Sequence, residues 1–154
     1  MTVISTKKFE GLRLSTYTDT TGHRTIGYGH NLDGGSDANV RAVGADPDKL
    51  RGKAYQLTKN QAEALFELDM GDVRKDVLTL IPDLDTHPVV VQDILCDLCF
   101  NLGLKGLAGF KRTLAAFRAR NYRKAGENLR QSLWFRQTKT RAQTIVAVLE
   151  GMES

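Results

Sequence analysis

Between Thr58 and Pro82 the chain carries one long helical signal, and it constrains how everything else can be arranged. Thr58 and Gln61 have the three-residue spacing of a capping box. Ala62, Leu65, Phe66, Met70, Val73 and Val77 then recur at helical intervals. Pro82 cannot continue a helix, so the spacing predicts one over 59–80. About 22 residues at 1.5 Å each span roughly 33 Å, enough to join two lobes instead of lying inside one.

The two sides of this helix have different periodicities. Ahead of it, residues 2–10 read as a short helix with Ile4 and Phe9 inward. Residues 13–19 alternate, with Leu14, Thr16 and Thr18 on one face and Arg13, Ser15, Tyr17 and Asp19 on the other. Thr20, Thr21 and Gly22 supply turn chemistry, and Arg24 to Tyr28 reads as the returning strand. Residues 31–57 are polar and irregular, with one short helix over Ala38 to Val43.

Beyond Pro82 every signal is helical. Pro88 opens a helix over Val89 to Phe100 that ends near Gly103, and Gly106 and Gly109 break the chain. Lys111 to Arg120 is amphipathic, with Leu114 and Phe117 inward. Asn121 caps a helix with Tyr122, Ala125, Leu129 and Leu133 on one face. A last helix carries Ala142, Ile145, Val146 and Leu149 and stops at Gly151. The expected class is α+β, mostly α. A sheet lobe over 11–58 is joined by the 59–80 helix to a helical lobe over 81–154 that also takes in residues 1–10.

At 154 residues and 41% hydrophobic content, the chain is a single domain able to bury a core without disulfides. Cys96 and Cys99 lie three apart on one helix face and read as buried small hydrophobes. His23, His30 and His87 are scattered without metal-ligand spacing, so no metal or cofactor is expected. No apolar run approaches the roughly 20 residues of a membrane span, so no stable membrane insertion is expected. The N-terminal MTVISTKKFEGLRL lacks the apolar core of a signal peptide, which predicts a cytoplasmic pool.

The charge is uneven. Residues 1–100 carry 11 Lys and Arg against 15 Asp and Glu, and residues 101–154 carry 11 against 3, so net charge passes from −4 to +8. A basic C-terminal half predicts an anionic partner, and a wall polymer bearing carboxylates and phosphates serves as well as nucleic acid.

Glu10 and Asp19 stand nine positions apart at the two ends of the first strand signal, with Thr25 six further on. An acid at a helix C-terminus opposes the helix dipole and calls for a reason. Two carboxyl groups in different environments are what glycoside hydrolysis requires, one protonating the leaving oxygen and the other ionised to activate water.

The segment EGLRLSTYTDTTGHRTIGYGH over Glu10 to His30 resembles the phage-type lysozyme (muramidase, endolysin) family, glycoside hydrolase family 24. LTKNQAEALFELD, the FNLG and GLAGF runs from Phe100 to Phe110, and SLWFRQTKTRA from Ser132 to Ala142 extend the similarity over nearly the whole chain. The resemblance implies a lysozyme-like fold. It also implies hydrolysis of the β-1,4 bond between N-acetylmuramic acid and N-acetylglucosamine in peptidoglycan glycan strands.

Carried onto this chain, the resemblance makes Glu10 the general acid, Asp19 the carboxylate across the cleft, and Thr25 the hydroxyl that positions water. It implies inversion, with the carboxyl groups roughly 6.5–9.5 Å apart. Asn31, Phe100, Thr113 and Asn128 fall at positions resembling substrate contacts, and Arg141 at that of an arginine pairing with the catalytic glutamate. His30 and Asp69 match a structural ion pair. Asn31 stands where the family's pattern has an apolar residue, and residues 136–140 lack its Pro-Asn pair. The family further implies a monomer, no nucleic-acid partner, release through a holin-type pore into the periplasm and cell wall, and host-cell lysis.

A lytic transglycosylase would cleave the same bond with one glutamate and close an anhydro ring. Asp19 and Thr25 argue against it, because a water-activating group would be superfluous. A non-catalytic binding module using the basic half would tolerate Glu10→Gln, which a muramidase would not.

Overall fold

The computed structural model describes residues 4–152. Residues 2 and 3 of the predicted first helix lie outside them, and helix α1 is described over Thr6–Glu10. Strands β1 (Arg13–Thr18), β2 (Arg24–Gly27) and β3 (His30–Asn31) follow. They form a three-stranded antiparallel sheet in sequential order. Then come helices α2 (Asp37–Ala42), α3 (Pro47–Arg51), α4 (Lys59–Leu80), α5 (Val89–Ala108), α6 (Lys111–Arg118), α7 (Tyr122–Arg130), α8 (Leu133–Thr138) and α9 (Thr140–Glu150). The class is α+β with helix dominant, as the periodicities predict.

The chain forms two compact units, and α4 carries the backbone from one to the other. The first holds residues 6–72. Its core is Ile26, Leu32, Val40, Ala45, Leu50, Leu57, Ala62 and Leu65, with Leu12, Leu14, Tyr28 and Val43 packed against it. Strand register runs from Thr18 opposite Arg24 and Tyr17 opposite Thr25 to Arg13 opposite Gly27, so β1 bulges between Arg13 and Tyr17. That bulge limits the simple alternation: Thr16 is buried, its hydroxyl donating 2.7 Å to the Leu50 carbonyl, while Thr18 is exposed.

Helix α4 begins with the reciprocal capping box. The Thr58 N–H donates to Gln61 Oε1 and the Gln61 N–H to Thr58 Oγ1, each at 3.0 Å. Helix α3 corrects the expectation of an irregular 31–57. Asp46 caps it, accepting from the N–H groups of Asp48 and Lys49, and Pro47 occupies its first turn.

In the second unit, Val73 onward together with Ile4 and Ser5, the core includes Val77, Ile81, Leu84, Ile94, Leu95, Leu98, Phe117, Leu129, Ile145 and Leu149. Three sequence expectations are corrected there. The α5 segment does not end at Gly103 but turns there (φ 75°, ψ 164°) and resumes to Ala108, with Gly106 inside it and Gly109 capping it. Lys111 onward is helical only to Arg118. Leu133 is not on α7: Ser132 caps a separate α8, and Leu133 is its 57% exposed first residue. The remaining α7 face, Tyr122, Ala125 and Leu129, is buried as predicted. Gly126 packs tightly against α9, where a Cβ would lie 3.0 Å from Leu149 Cβ and from Glu150 Cγ.

Candidate active site

Glu10 is the last residue of α1, a helix too short to hold itself in place. Lys7 anchors it. The ammonium bonds Glu63 on α4, and it lies 5.1 Å and 5.5 Å from the ring centroids of Tyr28 and Phe66. Tyr28 OH donates 2.8 Å to the other Glu63 oxygen, and the Tyr28 and Phe66 rings pack edge to face at 5.5 Å. The Lys7 and Tyr28 bonds hold the Glu63 carboxyl below the ordinary carboxylate range. After Glu10 the Gly11 N–H returns 2.9 Å to the Lys7 carbonyl, closing the helix.

The turn between β2 and β3 receives the Glu10 carboxyl. Gly29 sits at φ 74°, and a Cβ there would stand 2.3 Å from Glu10 Oε1 and 2.8 Å from its carboxyl carbon. Only an α-hydrogen fits between this backbone and the acid.

Asp19 follows β1 in the first turn. Its Oδ1 accepts from the Thr21 N–H (2.9 Å), the Thr21 hydroxyl (2.8 Å) and the His23 N–H (2.8 Å). Partial desolvation pushes this carboxyl up, but the His23 and Thr21 bonds outweigh it, and Asp19 titrates below the ordinary aspartate range. Oδ2 takes no hydrogen bond from the described residues. The Thr21 hydroxyl also lies 2.7 Å from His23 Nδ1. Its single proton is directed to a carboxylate that can only accept, so His23 Nδ1 is the donor in that second bond.

Thr25 on β2 is tied to the same residue. Its hydroxyl donates 3.0 Å to the His23 carbonyl, which also accepts from the Asp19 N–H at 2.9 Å. Asp19 and Thr25 are thus both hydrogen-bonded to His23. Neither Thr21 nor His23 was singled out from sequence, although an Asp followed two residues later by a hydroxyl is a turn signal that could have found the first.

His30 and Asp69 are brought together. The ring is 3% exposed and its Nδ1 donates 2.7 Å to Asp69 Oδ2, while Asn39 Nδ2 donates to Asp69 Oδ1 (3.0 Å) and Asp72 Oδ2 (2.8 Å). Asn31, paired with Thr25 across the sheet, uses its side-chain oxygen to accept from the N–H groups of Asp33 (2.8 Å) and Gly34 (3.0 Å), leaving its amide nitrogen as a donor.

The other predicted residues belong to the second unit. Phe100 is partly buried on α5. Thr113 on α6 and Asn128 on α7 line one concavity of about 410 Å³. Arg141 is 8% exposed, its Nε and terminal nitrogen donating 2.9 Å and 2.8 Å to the two oxygens of the fully buried Asp97. Asp97 was not foreseen, because on an apolar helix it carries no local mark. Trp134 is buried, its Nε1 donating 2.7 Å to Asn101 Oδ1. Among the described residues no group of three or more His, Cys, Asp or Glu is placed to hold a metal ion.

Asp19, its carboxyl held below the ordinary aspartate range, and Glu10, seated at a helix end, are carboxyl groups in different environments, which is what separate base and acid roles require. The phage lysozyme family model matches residues 7–149. The pre-baseplate central spike protein Gp5 of Enterobacteria phage T4 is 30% identical over 151 residues, 93% of this chain but 26% of that protein, so the chain spans about a quarter of its length. Probable T4-type lysozymes 1 and 2 of Dictyostelium discoideum are each 26% identical, over 154 and 153 residues, covering 92% of this chain and 88% of their own.

Proposed function

This chain belongs to the phage lysozyme family and is a glycoside hydrolase of the lysozyme type, and from that premise we propose that it hydrolyses the β-1,4 bond between N-acetylmuramic acid and N-acetylglucosamine with inversion. Glu10 donates a proton to the leaving glycosidic oxygen. Asp19 accepts a proton from the attacking water through Oδ2, and the Thr25 hydroxyl orients that water. The three hydrogen bonds donated to Asp19 Oδ1, which favour its carboxylate form, are the observation that carries the assignment. A carboxylate so held is suited to a base and unsuited to an acid. Gly29 supports the complementary role of Glu10 by leaving room for its carboxyl against the backbone. Asn31, Phe100, Thr113 and Asn128 contact the glycan, and the biological setting is host-cell lysis after release through a holin-type pore.

Digestion of purified peptidoglycan in ¹⁸O-labelled water tests this reading. It requires label at a new muramic reducing end, with turnover reduced about 10²- to 10⁴-fold in Glu10→Gln. An unlabelled anhydro product would assign a lytic transglycosylase and remove the role of Asp19. Undiminished release by Glu10→Gln would remove Glu10 as the acid.

A further inference from the structure

Asp19, Thr25 and the turn between them converge on His23. Its N–H donates 2.8 Å to Asp19 Oδ1, and its carbonyl accepts from the Asp19 N–H at 2.9 Å and the Thr25 hydroxyl at 3.0 Å. Any residue at this position would supply those backbone groups. The imidazole is what this chain adds. Its Nδ1 donates 2.7 Å to the Thr21 hydroxyl, which in turn donates 2.8 Å to Asp19 Oδ1. The turn therefore occupies Oδ1, and Oδ2 is left for water.

The direction of this chain of bonds fixes the tautomer. With Nδ1 the donor, a neutral ring carries its proton there, and a second proton enters at Nε2. Nε2 has no partner among the described residues and the side chain is half exposed, so protonation needs no rearrangement of the turn. The charged ring then stands with Nδ1 3.9 Å from Asp19 Oδ1. The other titratable groups facing this turn are already settled. Burial pushes the Tyr17 phenol, on β1, above its ordinary range, so it stays neutral. Asp33, after β3, is held by Arg24 through bonds of 2.8 Å and 2.6 Å. An imidazole ordinarily changes charge between about pH 5 and 8. Asp19 is a carboxylate throughout that range, so a proton on His23 changes how strongly Oδ2 attracts a proton from water, not whether Asp19 is ionised.

We propose that His23 is a positioning residue for the base of this site: through the Thr21 hydroxyl its ring holds Asp19 by Oδ1 and leaves Oδ2 for water, and its protonation weakens Asp19 as a proton acceptor. The inference rests on the reading of Asp19 as the base. Both charge states of His23 keep the geometry, because Nδ1 donates in each. The neutral state gives the stronger base and the charged state the weaker one.

Two variants of the full chain, assayed on peptidoglycan, separate the ring from its charge. His23→Ala removes the ring and keeps the backbone bonds. Its kcat should fall about two- to tenfold, the worth of one hydrogen bond, with KM unchanged. His23→Asn offers an amide N–H near the Nδ1 position but no group that titrates. It should restore kcat at about pH 8, and the ratio of wild-type to His23→Asn kcat should drop about two- to threefold between about pH 8 and pH 5. Carbon-13 observation of the Asp19 carboxyl should show a step as His23 titrates in the wild type and none in His23→Asn. A constant ratio without a carboxyl step overturns the inference, as does wild-type kcat in His23→Ala. Asp19→Asn keeps the two readings apart. If it abolishes turnover while the His23 variants change nothing, this inference alone falls. If it keeps turnover, the base assignment falls and takes the inference with it.

Discussion

The α-carbon of Gly29 lies against the carboxyl of Glu10 so closely that a Cβ would come within 2.3 Å of Oε1. The left-handed φ of 74° at Gly29 adds a second reason for glycine. Gly29→Ala should therefore move the carboxyl and cost about 1–2 kcal/mol of stability from the backbone alone. If Glu10 is the general acid, kcat falls by about 10²-fold or more. Thermal unfolding and turnover on peptidoglycan measure the two effects, and unchanged turnover would show that Glu10 is not positioned by this contact.

Thr21 contributes two of the three donors to Asp19 Oδ1, one of them its hydroxyl. Thr21→Val keeps the backbone bond, removes the hydroxyl, and should raise the Asp19 pKa toward the ordinary aspartate range. A carboxyl depressed on folding contributes stability above its unfolded pKa, and that contribution is lost as pH falls through the folded pKa. The variant should lose part of this contribution, and its activity should fail at a higher pH on the acid side. Carbon-13 titration of the Asp19 carboxyl reads the shift directly. An unmoved titration would show that the two N–H groups suffice.

Asp97 and Arg141 form a buried two-point ion pair within the helical unit. Removing one partner leaves a charge in a dry interior, which typically costs about 3–5 kcal/mol. Asp97→Asn should fall in that range by urea denaturation. Arg141→Lys should also destabilise, because an ammonium cannot reproduce the two parallel bonds. A loss below about 1 kcal/mol in both variants would mean that water reaches the pair.

Cys96 and Cys99 are free and buried, and burial pushes both thiols upward, Cys99 to about 12. Thiolates are the reactive form, so neither should react with a disulfide reagent at neutral pH until the chain unfolds. Labelling should track the unfolding transition. Prompt reaction of native protein would contradict this burial.

The local chemistry that was legible lay within about four residues. The Thr58 and Gln61 capping box, the stop before Pro82, the Asn121 cap and the buried face of Tyr122, Ala125 and Leu129 all follow from adjacent side chains and backbone geometry. Asp46 before Pro47 carried the same kind of signal for α3, but a five-residue helix has too few turns to show a period. Ser132 likewise starts a new helix where the apolar spacing of Leu129 and Leu133 suggested continuation.

The sequence by itself determined the small sheet, the long α4 helix, the caps at Thr58 and Asn121, and the order Glu10, Asp19, Thr25 along the first helix and the two strands. Tertiary structure decided which polar groups meet across long separations. Lys7 finds Glu63, Thr16 finds Leu50, and Arg141 finds Asp97. Helix and turn bonds are set by the geometry of a few consecutive residues. Long-range partners are chosen only when packing removes water around one pairing and makes any unpaired alternative costly.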